Sequence, residues 1–563
     1  MQTITSQDIL PDIEHHFRIS AGPGAGKTHW LTEHIRNILH KSVRMAATRR
    51  IACITYTNIA VETILKRLGT SVTRVEVSTI HSFLYENIIK PYVFLVADEY
   101  GLDVSQMDGH DDTILSNYGF LSDWKAKTSQ VYLRDDKEIA KAFSKIQWKF
   151  KNKEELEAKP SRPYAVNGTN IKTASYMVYK RMAWEKGIMH HDDVLFFSYQ
   201  IIKKHPFILE VLRANFPYIF IDEFQDSSPI QVKIFQAVGQ KESIIGIIGD
   251  TAQSIYVFQG SDPAEFKKFK LKGMKDYVME DNRRSTNEII DVLNITRTDI
   301  KQKKYRNIEG NLPFILIGER SSALAFAQSH CGTQPVYSLS RHNITANAMK
   351  KEISGAFNSK LFDELSEKDK PGSGNKYRSS AVASCLKAVE YARVGKFKDS
   401  IKEMERQFKY ESDPFKRKSI ALNHIVTLLE HYEGYSKGTL YDFFLLVKGQ
   451  IKTNITNLGS GVAKEFYVGH SYQNMALCVK IPEDISQHKT IHKAKGDEFD
   501  NVLVITLEES DLDFLITPDF AKEVHRLHYV AASRAREKLF ISVPALSLAN
   551  QNTLEKYFTI KTI

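Results

Sequence analysis

Cysteine is scarce in this chain: 4 in 563 residues, at Cys53, Cys331, Cys385 and Cys478, with no C-x-x-C pair among them. Such scatter offers neither a zinc site nor a disulfide framework, and it argues against a four-cysteine iron–sulfur cluster. Also missing is any apolar run near the ~20 residues that a membrane-crossing helix needs. The N-terminus carries no basic stretch followed by an apolar core, so a cytoplasmic protein without a membrane role is expected. No internal repeat of short fixed period is visible. Acidic residues are outnumbered, 67 Asp and Glu against 77 Lys and Arg, for a formal net charge of +10. That excess suits a polyanionic partner, although many basic proteins bind no nucleic acid. The 42% hydrophobic and 26% charged fractions are those of a globular protein. At this length several domains are expected rather than one core.

Strand and helix patterns alternate over the first ~85 residues, with Ile51-Ala-Cys-Ile-Thr55 as a short parallel strand and Leu31, Ile35, Ile38 and Leu39 on one helical face. The texture then turns polar and helix-rich, with a loop-like stretch at Lys151–Gly168. Alternation returns near His190, where Tyr218-Ile-Phe-Ile221 and Ser243-Ile-Ile-Gly-Ile-Ile248 are continuous apolar runs, as strands covered on both faces should be. Phe314-Ile-Leu-Ile317, Val336-Tyr-Ser-Leu339, Val502-Leu-Val-Ile505 and Leu539-Phe-Ile-Ser-Val543 are the strands of a second alternating region, and a flexible loop is expected at Lys368–Ser380. The simplest parse is α/β: two parallel-sheet cores, each interrupted by a mainly helical insertion. The first core spans 1–85 and 190–280 around an insertion at 86–189. The second spans 281–345 and 471–563 around an insertion at 346–470.

Ala21-Gly-Pro-Gly-Ala-Gly-Lys-Thr28 sits between an extended segment, Phe17–Ser20, and the first helix. Gly22, Gly24, Ala25 and Gly26 let successive backbone N–H groups turn inward to cradle phosphate oxygens at the positive end of that helix. Lys27 can reach β- and γ-phosphates, the Thr28 hydroxyl can ligate Mg²⁺, and His29 follows directly. The other reading is a glycine-rich turn beside a surface lysine, which the intact Gly-Lys-Thr between strand and helix disfavours. Tyr218-Ile-Phe-Ile-Asp-Glu-Phe-Gln-Asp226 is an apolar strand ending in acids. Strand tips of parallel sheets open onto the ligand crevice. Asp222 suits a hard cation and Glu223 the task of activating water. Alone, the pair equally suits a helix N-cap with solvated acids.

Together with further segments, these motifs give the chain its resemblance to superfamily 1A UvrD/Rep/PcrA-like DNA helicases. Thr55-Tyr-Thr-Asn-Ile-Ala-Val61 resembles motif Ia, Val77-Ser-Thr-Ile-His-Ser-Phe83 motif Ib, and Trp184–Leu195 the passage before motif II. Asp222–Asp226 is similar to motif II, Gly249–Gly260 to motif III, Asp281-Asn-Arg-Arg-Ser-Thr286 to motif IV, Thr490–Phe499 to motif V, and Leu527–Lys538 to motif VI. The resemblance implies two RecA-like P-loop domains, ATP and Mg²⁺ as cofactors, and 3′→5′ movement on single-stranded DNA and its junctions with duplex. It assigns Arg284 and Arg534 to the γ-phosphoryl group from the second core domain, Gln253 to the γ-phosphate, and Glu498 to the nucleotide. Tyr56, Phe83, Tyr256 and Phe258 would stack on bases, with Thr57, Asn58, His81 and His492 at phosphate or ribose. Taken without that context, such arginines are surface groups, such aromatics core, and His81 a structural histidine.

Two departures touch the base of the nucleotide. The N-terminal glutamine motif is unrecognisable, with Gln7 its nearest candidate, and Arg283 stands where the family has a stacking tyrosine in motif IV. Relaxed nucleotide choice, with other NTPs hydrolysed beside ATP, is the expectation. The second insertion is short, and the chain stops about 25 residues beyond motif VI, leaving no room for a C-terminal nuclease. This compact layout also resembles the helicase-like B subunits of Gabija anti-phage systems, which implies an OLD-type nuclease partner. DNA repair or anti-phage defence thus remain open as settings. So does a DNA-end-sensing NTPase that activates a nuclease with little unwinding. An ABC- or OLD-type clamp would need a Ser-Gly-Gly-like signature, and none is present.

Overall fold

Along Ile51–Thr55, Tyr218–Ile221 and Ile244–Gly249 every residue is buried, because each strand is covered on both faces. Side chains of a strand alternate between faces, so neighbours enter different cores. Phe17, Ile19, Cys53, Tyr218, Phe220 and Ile248 pack with Trp30, Leu31, Ile35 and Ile38 of the helix Lys27–Lys41. Their neighbours Ala52, Ile54, Ile219, Ile221, Ile245 and Ile247 belong to a second core on the opposite face, shared with the helices Ile80–Leu84, Asp193–Lys204 and Pro229–Val238. The computed structural model describes all residues except 108, 110, 113, 356, 371–377, 409 and 482–485, and the side chain at 70. Positions 371–377 of the loop expected at Lys368–Ser380 therefore lie outside the described residues.

By its contacts the chain forms two units, 1–309 with 518–529 and 310–517 with 530–563. In the first unit the strands are β1 (Gln2–Thr3), β2 (Phe17–Ala21), β3 (Ile51–Thr55), β4 (Val75–Thr79), β5 (Tyr218–Ile221), β6 (Ile244–Gly249) and β7 (Lys275–Met279). They form one parallel seven-stranded sheet in the order β1-β7-β2-β6-β5-β3-β4. The second unit has β8 (Phe314–Ile317), β9 (Val336–Ser340), β10 (His488–Thr490), β11 (Phe499–Ile505), β12 (Ala535–Val543) and β13 (Thr559–Thr562). These form a parallel six-stranded sheet ordered β10-β9-β11-β12-β8-β13. Two RecA-like α/β domains are the architecture. Among the described residues no helix is long and apolar enough to cross a membrane.

The first insertion is helical but carries a two-stranded antiparallel ribbon, Ile146–Phe150 with Leu156–Pro160. The stretch expected to be loop at 151–168 is thus partly strand. Its prolines obscure the alternation, and Pro160 is tolerated because it ends the ribbon. Ring stacking of Trp148 and Trp184 on Phe196 anchors the ribbon beside the helix Asp193–Lys204. Asp193, wholly buried, accepts from both indoles at 2.8 and 2.9 Å and pairs with Lys180 at 2.8 Å. Burial would raise its carboxyl, but Lys180 and His190 hold it well below the usual range. The second insertion is wholly helical among its described residues and builds a separate apolar core around Leu386, Phe443, Tyr467 and Tyr472.

Candidate functional site

β2 ends at Ala21, and the chain turns through Gly22–Gly26 into the helix Lys27–Lys41. Gly24 and Gly26 have φ of 72° and 80°, the left-handed region that favours glycine. Space demands glycine as well. A Cβ on Gly24 would lie 2.5 Å from the Asn282 side-chain oxygen, and one on Gly26 2.6 Å from Ser6 Cβ. The Arg283 N–H donates to the Gly24 carbonyl at 2.9 Å, so the segment 281–284 is fastened directly to the loop.

The acids follow β5. Asp222 is buried, and its N–H donates to the Ile54 carbonyl of the neighbouring strand at 2.8 Å. Glu223 has φ of 54°, unusual for a residue with a side chain, and forms an ion pair with the Lys27 ammonium at 3.5 Å. Gln225 donates to Glu223 and Asp226, while its oxygen accepts the Asp250 N–H at 2.9 Å, joining the second acidic segment to the first. Asp250 in turn accepts the Gln253 amide at 2.8 Å. Lys27, Asp222, Glu223 and Gln253 therefore belong to one connected cluster at the loop. Asp222 and the Thr28 hydroxyl are hard oxygen donors of the kind Mg²⁺ takes while keeping water and phosphate ligands. Among the described residues no group of three or more His, Cys, Asp or Glu could hold a metal.

Arg284 differs from its expected placement. It falls in the first unit rather than on the second core, because the Arg283 N–H bonds to the loop and its own Cβ would meet a Gly24 methyl at 2.8 Å. Arg534, Glu498 and His492 lie in the second unit. There Arg534 is buried and donates to the Val530 carbonyl and the Ser533 hydroxyl, whereas Glu498 is exposed and His492 half-buried. His29 is exposed and lines an open recess with Glu33, Arg36 and Arg67. Arg283 lies over the Tyr305 ring, 3.6 Å from its centroid, and pairs with Asp281. Gln7 is exposed; its neighbour Ser6 is the residue that abuts Gly26.

A groove of about 1240 Å³ also opens in the first unit, lined in part by Tyr56, Thr57, Asn58, His81 and Phe258. Tyr56 stacks on Tyr256 at 4.7 Å between centroids, and Phe258 lies 6.1 Å from Tyr256. Phe258 is 55% exposed and Tyr256 8%. Phe83 corrects the expectation of a fourth stacking ring. It is 1% exposed and packs edge-on against Phe216 in the core. In the short helix Ile80–Leu84, positions 81 and 83 point to different sides, so the residue that reaches the groove is His81, its ring stacked on His191 at 3.9 Å. Sequence reading missed Lys145, Lys149, Arg162 and Asp192, which also line the groove. The first three come from the ribbon region and carry no motif that could have marked them.

The geometry has its counterpart in known families. Residues 1–275 match the UvrD/REP helicase N-terminal domain, and residues 489–542 match the UvrD-like helicase C-terminal domain. The chain belongs to the UvrD-like helicases. The first matched stretch of this UvrD-like helicase contains the glycine-rich loop and the segments likened to motifs Ia to III, and the second those likened to motifs V and VI; Asp281–Thr286 lies between them. Gabija protein GajB of Bacillus cereus is 23% identical, over 86% of this chain and 84% of that protein. The ATP-dependent DNA helicase Rep of Buchnera aphidicola is 24% identical, over 93% of this chain and 90% of that protein. PcrA of Staphylococcus aureus, an ATP-dependent DNA helicase, is 24% identical over 52% of this chain and 39% of its own length.

Asp192 gives the groove wall a measurable pH signature. Burial pushes its carboxyl up to about 6, with Lys180 opposing. Between 3.8 and about 6 the folded chain holds a proton that the unfolded chain has released, so stability falls as pH rises through that window and stays lower above it. Asp192→Asn is expected to raise stability at pH 7 by about 1–2 kcal/mol, discounted for its groove-facing edge, and to change little at pH 4. Urea denaturation at both pH values checks this, and equal effects at the two would contradict it.

Proposed function

We propose that this chain is a motor that couples ATP hydrolysis to 3′→5′ movement along single-stranded DNA and its junctions with duplex. The observation that carries the reading is the single loop Gly249–Gly260. One end holds Gln253 in the cluster with Glu223 and Lys27; the other puts Phe258 at the groove, with Tyr256 buried behind it against the groove-lining Tyr56. A change at the phosphates would thus reach stacked bases through less than a dozen residues.

Lys27 and the loop N–H groups of Gly22–Gly26 would bind the phosphates, with Glu223 orienting the attacking water and accepting its proton. Asp222 and Thr28 would hold Mg²⁺, which supplies charge neutralisation between the phosphate oxygens. Gln253, Arg284 and Arg534 would stabilise charge on the γ-phosphoryl group, and Glu498 would contact the nucleotide. On the DNA, Tyr56, Tyr256 and Phe258 offer faces that stack on any base, while Thr57, Asn58, His81 and His492 suit phosphate or ribose. We place the motor in DNA repair or anti-phage defence. Similarity to GajB over most of both chains supports the defence setting, in which the partner would be an OLD-type nuclease. It also favours a second reading: an NTPase that senses DNA ends and activates that partner with little unwinding.

Hydrolysis measured with and without single-stranded DNA tests the core of this reading. Stimulation by DNA is expected, and Lys27→Ala is expected to lose most activity, about a hundredfold or more, because the phosphates lose their charge partner. DNA-independent hydrolysis, or a fully active Lys27→Ala protein, would overturn it. A 3′-tailed duplex then separates motor from sensor: displacement marks a motor, hydrolysis with the duplex intact a sensor.

Base selectivity offers a separate test. Arg283 is engaged with Tyr305 and Asp281, leaving a guanidinium where an aromatic ring would read shape. ATP, GTP, CTP and UTP are expected to be hydrolysed at comparable kcat/KM with saturating DNA. A preference for ATP above about a hundredfold would contradict this.

A further inference from the structure

A line of hydrogen bonds connects Gln253 to Arg284 through two residues, Arg297 and Gln302, that lie outside every motif segment. Arg297 follows the helix Asn287–Thr296, and its side chain is 1% exposed, as is that of Asp250. One Asp250 oxygen accepts both the Gln253 amide at 2.8 Å and Arg297 Nη1 at 2.9 Å; the other accepts the Ala252 N–H. Arg297 Nη1 also donates to the Tyr529 hydroxyl at 3.1 Å, while Nε and Nη2 bind Asp299. The same hydroxyl accepts Gln302 Nε2 at 3.1 Å, and Gln302 Oε1 accepts the Asn282 amide at 2.6 Å. Asn282 Oδ1 then accepts the backbone N–H groups of Arg284 and Ser285 at 2.8 and 3.0 Å. All of these residues belong to the first unit.

Polarity makes this line directional. An arginine only donates and a carboxylate only accepts, so Arg297 and Asp250 dictate which end of the Gln253 amide faces inward. The line also lies under the phosphate loop: a Cβ on Gly22 would sit 3.5 Å from Gln302, and one on Gly24 would strike Asn282. Stability alone gives no reason for such a group. A buried ion pair is often replaceable by apolar side chains at little loss, whereas apolar side chains cannot orient two amides and a backbone turn.

We propose that Arg297 is a positioning residue. It keeps Gln253 and the Arg284 turn in one register, so that both meet the same γ-phosphoryl group. The role rests on the hydrolysis reading above. Tyr529 is its relay.

The test uses the full chain as wild type, Arg297→Met, Arg297→Lys and Tyr529→Phe. Steady-state ATP hydrolysis is measured at saturating single-stranded DNA, and binding of a fluorescent ATP analogue separately. Arg297→Met and Tyr529→Phe are expected to lower kcat about tenfold or more, with KM and analogue affinity within about threefold. Arg297→Lys, which can still donate to Asp250, is expected to recover part of kcat. Unchanged kcat in Tyr529→Phe, or a lysine variant no better than methionine, would overturn the proposal. Should Arg297→Met fail to fold, Tyr529→Phe and Arg297→Lys decide. A wild-type chain without hydrolysis would sink the hydrolysis reading itself, whereas active wild type with unaffected variants sinks only the positioning role.

Discussion

The close approach of Gly24 to Asn282 is the contact on which the rest of the first unit's site depends. Backbone that turns inward to meet an anion must leave its outer side against something rigid, and here that something is the 281–284 segment. Glycine is required twice over, by a left-handed φ and by a separation that no side chain could occupy. Because the segment is bonded to the loop, Arg284 starts from the loop's own scaffold.

From that contact the cluster extends in two directions. Through Gln225 and Asp250 it reaches the loop that ends at the groove, so Gln253 in the cluster and Phe258 at the groove share one stretch of backbone. Through Gln302, Tyr529 and Arg297 it returns to Asp250 and closes a ring of donors and acceptors with no slack amide in it. Such a ring behaves as a unit: disturbing one partner shifts the others. The groove's other wall comes from the insertion, where Asp193 and its two indoles hold the ribbon that supplies Lys145 and Lys149 beside the rings.

Much of this was legible in the residues. The glycine-rich turn between strand and helix was readable from spacing and flanks, and the buried strands from continuous apolar runs that alternate between two cores. What escaped reading has physical reasons. The ribbon at 146–160 is short, proline-terminated and charged on one face, so its pattern resembles loop. Phe83 and His81 stand two residues apart, and only the turn of a helix separates the core side from the groove side. Arg284 carries a motif but no mark of which unit it packs against. Arg297 and Gln302 were invisible because their meaning lies in partners 47 and 227 positions away, Asp250 and Tyr529.

Nucleotide affinity of Gly24→Ala, measured by titration calorimetry with Mg²⁺ in the absence of hydrolysis, tests the central claim most directly. A Cβ there must push Asn282 and Arg284 away from the loop. The expected result is ATP affinity weakened about tenfold or more in a variant that still folds, with a lowered melting temperature from the strained backbone. ATP binding at wild-type affinity would contradict the claim that this contact shapes the phosphate site.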